Sequence, residues 1–310
     1  MTKEASGEGS GAGRGDRDRP GGTLFVVSTP IGNLGDITLR ALEVLRTVPL
    51  IAAEDTRHTQ RLLARHGLAT RMTSYHAQSD TSRAAALLDH LRGGDDLALV
   101  TDAGTPVVSD PGRELVAAWA GEGGTVVPIP GASAVLAAVA ASGVAGPRWT
   151  FEGFLPRAGR ERRERLSRIA ADDGGAVIFE SPGRTSATLR DLAEACGEDR
   201  PAAVCRELTK LHEEVVRGTL GELAGAASDG AIPARGEFVL VVGAWAGVAA
   251  RPATAATDPD GEPGGDALAA GQAEVERLVS DGIRRSDAAR RVSAATGIPR
   301  RHLYGRGVRG

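Results

Sequence analysis

Residues 23–56 read TLFVVSTPIGNLGDITLRALEVLRTVPLIAAEDT, and this stretch decides the fold class. Thr23–Thr29 is short, apolar and rich in β-branched and aromatic residues, the pattern of a buried strand. Ile37, Ala41, Val44, Leu45 and Val48 then recur at the spacing of one helical face, with Asp36 placed to cap that helix and Pro49 to end it. Leu50–Ala53 is a second strand. Strand, helix and strand in this order form a β-α-β unit, which joins parallel strands.

The alternation continues on the C-terminal side. Asp55 can cap a helix over Thr56–His66, stopped by Gly67. Arg71–His76, Leu97–Thr101 and Thr125–Ile129 read as strands, Thr81–Leu91 and Arg113–Ala120 as helices, and a further helix opens at Ser133. This order predicts a mostly parallel sheet covered by helices. In the second half, strand Thr150–Phe154 leads into an Arg-rich helix, Arg160–Ala170, then strand Ala176–Phe179 and helix Arg184–Cys196. Ala202–Glu207, Glu213–Gly218 and Glu237–Val242 read as three more strands, with helix Leu220–Ala227 before the last; two of them are close enough to form an antiparallel hairpin, so a mixed sheet is expected. The chain therefore divides into a disordered tail over 1–22, an α/β domain over 23–134, a second α/β domain over 135–246, a flexible linker over 247–273 and a basic helical extension over 274–310. In the extension, Ser286 can cap a helix over Asp287–Thr296, and a short helix follows the turn at Gly297–Pro299, a helix-turn-helix outline.

Composition narrows the function. Of 310 residues 41% are hydrophobic and 25% charged, which excludes a coiled coil, a collagen-like polymer and a wholly disordered chain. The formal net charge of −3 makes the whole chain no magnet for nucleic acid, but residues 274–310 carry +5 and the rest −8, an asymmetry that points to a polyanionic partner for the extension. Cys196 and Cys205 cannot form a disulfide framework and match no zinc spacing, so no metal is expected. There is neither a long apolar span nor a secretory signal, so the expectation is a cytoplasmic protein with no membrane partner.

Three loops at the ends of predicted strands carry the chemistry. Ser28–Asp36 (STPIGNLGD) is a Gly-containing turn without the GxGxxG or Walker pattern, which argues against a dinucleotide or a triphosphate. Thr101–Gly112 (TDAGTPVVSDPG) holds two turn-forming clusters with Asp and Thr between them, and Pro128–Ala134 (PIPGASA) is built from small residues that let backbone approach a ligand. Three such loops at one edge of one sheet predict a binding site.

The blocks STPIGNLGDITLRA (28–41), AEDTRHT (53–59), TDAGTPVVSDPG (101–112), PIPGASA (128–134) and FESPGR (179–184) resemble the 16S ribosomal RNA (cytidine-2′-O)-methyltransferase family, within the tetrapyrrole methylase superfamily of class III methyltransferases. The resemblance covers about residues 23–245. It implies two α/β domains of the tetrapyrrole methylase type with a cleft between them, S-adenosylmethionine (SAM) as methyl donor, 16S rRNA or the small ribosomal subunit as substrate, a ribose 2′-hydroxyl of a decoding-centre cytidine as acceptor, and a homodimer. The basic tail resembles a helical extension of many members. Corrin and porphyrin relatives carry Gly-Asp-Pro where this chain has Gly104-Thr105-Pro106, which argues against a tetrapyrrole substrate. Carried over residue by residue, Pro30, Ile31, Asp102, Gly104, Thr105, Ser133 and Ala134 are expected at the cofactor.

A ribose hydroxyl is a poor acid, so a base or electrostatic stabiliser is expected near the cleft. Glu54, Asp55 and Glu180 are the catalytic candidates; Arg57, His76, Arg184 and Lys210 are expected on the substrate side, the arginines because guanidinium grips phosphate bidentately. Each has a structural alternative. Asp55 can serve as a helix cap alone, Glu180 can pair with Arg184 although Pro182-Gly183 lies between them, and Lys210 can pair with Glu213 across a hairpin. With Arg157, the Arg160–Arg168 helix carries six Arg against Glu161 and Glu164 and is expected at a nucleic-acid rim. Two alternatives stay open: SAM-dependent methylation of a corrinoid or a protein side chain on the same fold, and a non-enzymatic RNA-binding ribosome-assembly factor.

Overall fold

The computed structural model describes residues 21–76, 81–244, 265–280, 283–296 and 298–303. The chain divides into two compact units, one ending at Ala244 and one beginning at Trp245. The tail expected over 1–22 falls almost wholly outside the described residues, as does the linker up to Gly264.

The first unit contains two sheets. In chain order, β1 (Leu24–Val27), α1 (Leu39–Thr47), β2 (Leu50–Ala53), α2 (Thr56–Arg65), β3 (Met72–Ser74), α3 (Thr81–Arg92), β4 (Leu97–Val100), α4 (Arg113–Gly121) and β5 (Val126–Ile129) build a sheet in the order β3-β2-β4-β1-β5. Every pairing in it is parallel. Apolar side chains fill both faces, Val27, Leu45, Ile51 and Val100 in one core, Leu24, Leu91, Leu99 and Trp119 in another. Because all strands run the same way, their C-terminal ends share one edge. The chain leaves β1 toward β2 and leaves β4 toward β5, in opposite directions along the sheet. Neighbouring strands whose connections diverge open a crevice at their carboxyl ends, where α/β proteins bind ligands.

Next, α5 (Ala134–Ser142) crosses to the second sheet and covers one face of it: Val135 and Ala138 join Val177, Ala203, Cys205 and Val239 in one core, and Ile31 from the loop after β1 is buried in that same core. β6 (Trp149–Phe154), α6 (Gly159–Ala171), β7 (Gly175–Glu180), α7 (Thr185–Cys196), β8 (Pro201–Arg206), β9 (Glu214–Thr219), α8 (Leu220–Ser228) and β10 (Phe238–Val242) complete this body. Its strand order is β6-β7-β10-β8-β9, with β6 and β7 parallel and the other pairings antiparallel, the mixed sheet expected.

Several local expectations are corrected. Asp36 does not cap α1: it closes a short 3-10 turn over Leu34–Asp36 capped by Asn33, and Thr38 caps α1 by accepting from the Ala41 N–H at 3.1 Å. Thr38→Ala is therefore expected to cost about 1 kcal/mol, roughly 2–4 °C in Tm, whereas exposed Asp36→Ala leaves Tm within about 1 °C; equal effects in thermal melts would overturn this cap assignment. Of the α6 arginines, Arg162 is built into the fold, while Arg160 and Arg168 stay exposed in surface pairs. Arg162 is buried and bonds Asp191, Thr188 and the Pro156 carbonyl, while Arg160, Arg165 and Arg168 pair with Glu164, Glu161 and Glu152.

The second unit is helical: α9 (Gly265–Ser280), α10 (Arg285–Thr296) and α11 (Arg300–Leu303) surround Val275, Ala288, Ala289, Val292, Ile298 and Leu303. The linker expected over 247–273 is thus helical from Gly265 onward, and Ser286 lies inside the first turn of α10 rather than capping it. An Ala- and Leu-bearing run there finds apolar partners that its Gly-rich surroundings hide.

Candidate functional site

Three strand-end loops are knitted together at the crevice. Thr29 and Gly104 exchange backbone hydrogen bonds at 2.8 and 3.1 Å, Ser28 and Thr105 hydroxyls meet at 2.9 Å, and the Thr29 hydroxyl donates to the Thr101 carbonyl at 3.0 Å. Gly131 approaches Ser28 so closely that a Cβ on it would lie 2.9 Å from the Ser28 Cβ, so only glycine closes this contact. Ser133 caps α5 as expected, accepting from the Leu136 N–H.

The loops wall one side of a cavity of about 420 Å³, and the second sheet walls the other. Ile31, Gly104, Thr105, Ser133 and Ala134 of the expected cofactor set line it, together with Val108, Ser109 and Asp110. Val107 and Ser109 are held at φ 77° and 67°, a conformation that a β-branched residue adopts only when its surroundings enforce it. From the second sheet come Phe154, Phe179, Cys205, Leu208, Phe238 and Val239. Phe179 stacks edge-on against Phe154 at 5.6 Å between centroids, and Phe154 leaves 53% of its surface exposed. Burial pushes the Cys205 thiol up to about 11, so it is a neutral apolar surface. The charged lining residues are Asp110, Glu180 and Glu237; among the described residues the cavity has no basic lining residue.

A smaller cavity of about 260 Å³ adjoins it, sharing Ile31, Ala103 and Glu237 with the larger one. Pro30 and Asp102, expected at the cofactor, lie on this second wall, with Lys210 and with His58, Thr59 and Arg61 of α2.

A carboxylate cluster lies at the two cavities, with Asp110 lining the larger, Asp102 the smaller and Glu54 neither. Glu54 Oε2 accepts from the Thr101 hydroxyl at 2.6 Å and from the Asp102 N–H at 3.3 Å, and Asp102 Oδ1 accepts from the Asp55 N–H at 3.0 Å. Burial, reinforced by the Glu54 charge, raises the proton affinity of Asp102. Asp110 is pushed up to about 6 by burial, against a hydrogen bond with Thr101 and with help from the charges of Glu54 and Asp102.

The remaining predicted residues have other engagements. Glu54 and Asp55 line neither cavity. Asp55 caps α2 through the Arg57 N–H at 2.8 Å and takes the Arg57 guanidinium through both oxygens, at 3.1 and 2.6 Å, which holds its carboxyl well below the usual carboxylate range. Arg57 thus points outward with its side chain 88% exposed, not into the cleft. Glu180 is buried and accepts from the Ser181 N–H and the Thr188 hydroxyl at 2.8 and 2.6 Å. Its pair with Arg184 does form, at 3.3 Å, because Pro182–Arg184 is a 3-10 turn; Arg184 also donates to the Leu155 carbonyl at 2.7 Å. Lys210 pairs with Glu207 at 2.9 Å and Glu237 at 3.0 Å, not with Glu213, whose carboxylate accepts from the Thr209 N–H. Burial works against the lysine charge, but the two carboxylates hold its pKa above the usual value. His76 is exposed beyond edge strand β3 and lines neither cavity.

Asp110, His58, Arg61 and the phenylalanines were not singled out from sequence. Asp110, His58 and Phe179 stood inside the quoted blocks. Phe154 and Phe238 carried no local signal. Among the described residues no cluster of His, Cys, Asp and Glu is arranged to hold a metal ion, and no helix is long and apolar enough to cross a membrane.

The family described as Tetrapyrrole (Corrin/Porphyrin) Methylases matches residues 23–224. The chain is 43% identical to the ribosomal RNA small subunit methyltransferase I of Synechocystis sp., over 91% of this chain and 96% of that protein. It is 42% identical to the protein of the same name from Micromonospora olivasterospora, over 96% and 91%. Among solved structures it is similar to a cobalt precorrin-4 methyltransferase, with a TM-score of 0.56 at 21% identity over 71% of this chain and 94% of that one. It is also similar to the uroporphyrin-III C-methyltransferase of Thermus thermophilus complexed with S-adenosylhomocysteine, with a TM-score of 0.52 at 19% identity over 72% and 97%.

Proposed function

The chain belongs to the tetrapyrrole methylase family and, on that premise, we propose that it transfers a methyl group from SAM to small-subunit ribosomal RNA, at the 2′-hydroxyl of a cytidine. Methylation of 16S rRNA with SAM as donor accords with the name its curated relatives carry over nearly their whole length. The cytidine and the 2′-oxygen rest on the resemblance of the EDTR and DAGTP blocks.

The observation that carries the reading is the larger cavity, whose volume is within the usual range for a small-molecule site, about 300–1,000 Å³. Its apolar wall suits an adenine, its small residues and backbone suit close approach, and its carboxylates with no basic lining residue suit a ligand bearing cationic centres. Ile31, Gly104, Thr105, Ser133 and Ala134 would hold SAM there. Bound, SAM supplies an electrophilic methyl carbon on a sulfonium. The chain supplies position: the Thr29–Gly104 bridge and the Ser28–Thr105 contact fix the loops, so an acceptor oxygen meets a pre-set partner. Asp102 is the proton acceptor in this reading. It lines the smaller cavity and is followed by Ala103, which lines both; the Asp55 N–H holds one of its oxygens, and its raised proton affinity moves it toward the working pH. Glu54 acts behind it by its charge, and Glu180 holds the end of β7 to α7.

The homodimer implied by the resemblance is part of the same reading. Leu136 on α5 and Leu211 in the turn before β9 are apolar and exposed, as a self-complementary surface requires. A ribosomal substrate places the enzyme in the cytoplasm. The test is mass mapping of 16S rRNA from cells with and without the gene, together with methyl transfer to that RNA by the purified protein. Loss of one cytidine 2′-O-methyl group, restored in vitro, is the expected result; an unchanged methylation map together with no transfer to the RNA overturns it.

A further inference from the structure

We infer that the smaller cavity is the seat of the acceptor nucleotide, gripped through its phosphate by Arg61 and His58 of α2 and met deeper in by the Thr59 hydroxyl; this rests on the reading of the larger cavity as the SAM site. His58, Thr59, Arg61 and Leu62 recur along α2 at the spacing of one helical face, and all four line the cavity. The charges of the two cavities differ in kind. The larger one presents carboxylates and no basic lining residue, which disfavours a phosphate; the smaller one presents Arg61, His58 and Lys210 beside Asp102 and the shared Glu237.

Lys210 spends its charge on Glu207 and Glu237. The Arg61 side chain forms no hydrogen bond or ion pair among the described residues, so its guanidinium can take both oxygens of a phosphate. A nucleotide needs a cation for its phosphate and an acceptor for its hydroxyl, and this wall offers Arg61 and Asp102 for those two tasks.

An independent observation points to a ligand in the same place. Thr59 is only 2% exposed, and its hydroxyl has no hydrogen-bond partner among the described residues. A buried hydroxyl left unmet is costly, and polar groups of this kind are met by a bound partner or mark a site where function outweighs stability. Thr59 lines the same cavity and lies between His58 and Arg61 along α2. The cavities share Ile31, Ala103 and Glu237, so a nucleotide in one and SAM in the other are neighbours across that seam.

Four proteins test this: wild type, Arg61→Ala, Thr59→Val, and Arg65→Ala, one turn further along α2 and outside the cavity. Steady-state methyl transfer to small-subunit rRNA, SAM affinity by calorimetry and thermal melts are measured for each. Arg61→Ala is expected to raise KM for RNA about tenfold, with SAM affinity unchanged and the salt slope of RNA binding reduced by about one. Thr59→Val is expected to lower kcat/KM while leaving Tm equal or higher, because it removes an unmet polar group. Arg65→Ala should match wild type. Titration of cytidine 3′,5′-bisphosphate with S-adenosylhomocysteine present gives a readout apart from turnover, with binding expected in wild type and lost in Arg61→Ala. If the wild-type protein binds the bisphosphate but methylates no RNA, the RNA reading falls and the cavity assignment stands. If RNA is methylated while Arg61→Ala and Thr59→Val match wild type in KM, kcat and bisphosphate binding, the cavity assignment falls and the RNA reading stands.

Discussion

Gly104→Leu is expected to abolish SAM binding in a protein that still folds. Gly104 sits at φ +87°, with its N–H and carbonyl both committed to Thr29, so its backbone cannot swing away from the cavity. A Cβ there would lie 3.5 Å from Ile31 Cγ2 and 3.9 Å from the Ala132 carbonyl, ordinary contacts, so a methyl group meets strain rather than a clash. That strain costs on the order of 1–3 kcal/mol for any non-glycine residue. Gly104→Ala carries the strain with little of the volume and is the control. Leucine adds atoms that must enter the space assigned to SAM, and a ligand forced to share it should lose at least about a hundredfold in affinity, some 2.7 kcal/mol. Calorimetry and thermal melts on both variants are the measurement. A folded Gly104→Leu protein with wild-type SAM affinity, or alanine and leucine variants equally impaired, would show that the larger cavity is not where SAM sits.

Asp110→Asn is expected to weaken SAM by about tenfold or more and S-adenosylhomocysteine far less. The two ligands differ at the sulfur, a sulfonium cation in one and a neutral sulfide in the other. An opposite charge within about 4–6 Å lowers a carboxylate pKa by about 1–3 units, and by linkage the carboxylate returns the same free energy as affinity. Asp110 is raised to about 6 in the free protein, with Thr101, Glu54 and Asp102 as its polar and charged neighbours. The sign follows. Because the folded value lies above the unfolded one, the protein without ligand loses stability as pH rises from about 4 to about 6, where the buried carboxylate ionises. SAM should bind more weakly as pH falls through about 6 and release a proton on binding in that window. Calorimetry in buffers of different ionisation enthalpy reads this proton. Asp110→Asn should bind SAM without pH dependence there; a wild-type SAM affinity flat between pH 5 and 7 would remove Asp110 from the cofactor's surroundings.

Much of the first sheet was legible because its signals are local. Buried runs such as Leu97–Val100, turn residues such as Gly67, and the caps Asp55 and Ser133 act through neighbours a few residues away. Even here the cap expected of Asp36 falls to Thr38, because Asp36 closes a separate turn capped by Asn33. The α6 helix shows a different limit of local reading. Its arginines look like a solvated basic face, but partners for several of them come from Asp191, Thr188 and Glu152 on other elements.

By itself the sequence determined that parallel strands would place three Gly- and Pro-bearing loops on one edge, because strand direction follows from β-α-β order and loop chemistry from the residues present. It also determined the family, since the loop blocks are contiguous. Tertiary structure decided which side chains meet there. Arg57 and Arg61 share one face of α2, yet Asp55 takes the first guanidinium and leaves the second at a cavity wall. Lys210 pairs with Glu237, 27 residues on, as well as with nearby Glu207, because β10 lies between β7 and β8 rather than beside β9. The aromatic wall opposite Gly104 exists only because Ile31 docks the first sheet's loop into the second sheet's core. Such contacts depend on how two separately patterned sheets settle against each other. That arrangement is set by the shape and packing of apolar faces, and no local periodicity encodes it.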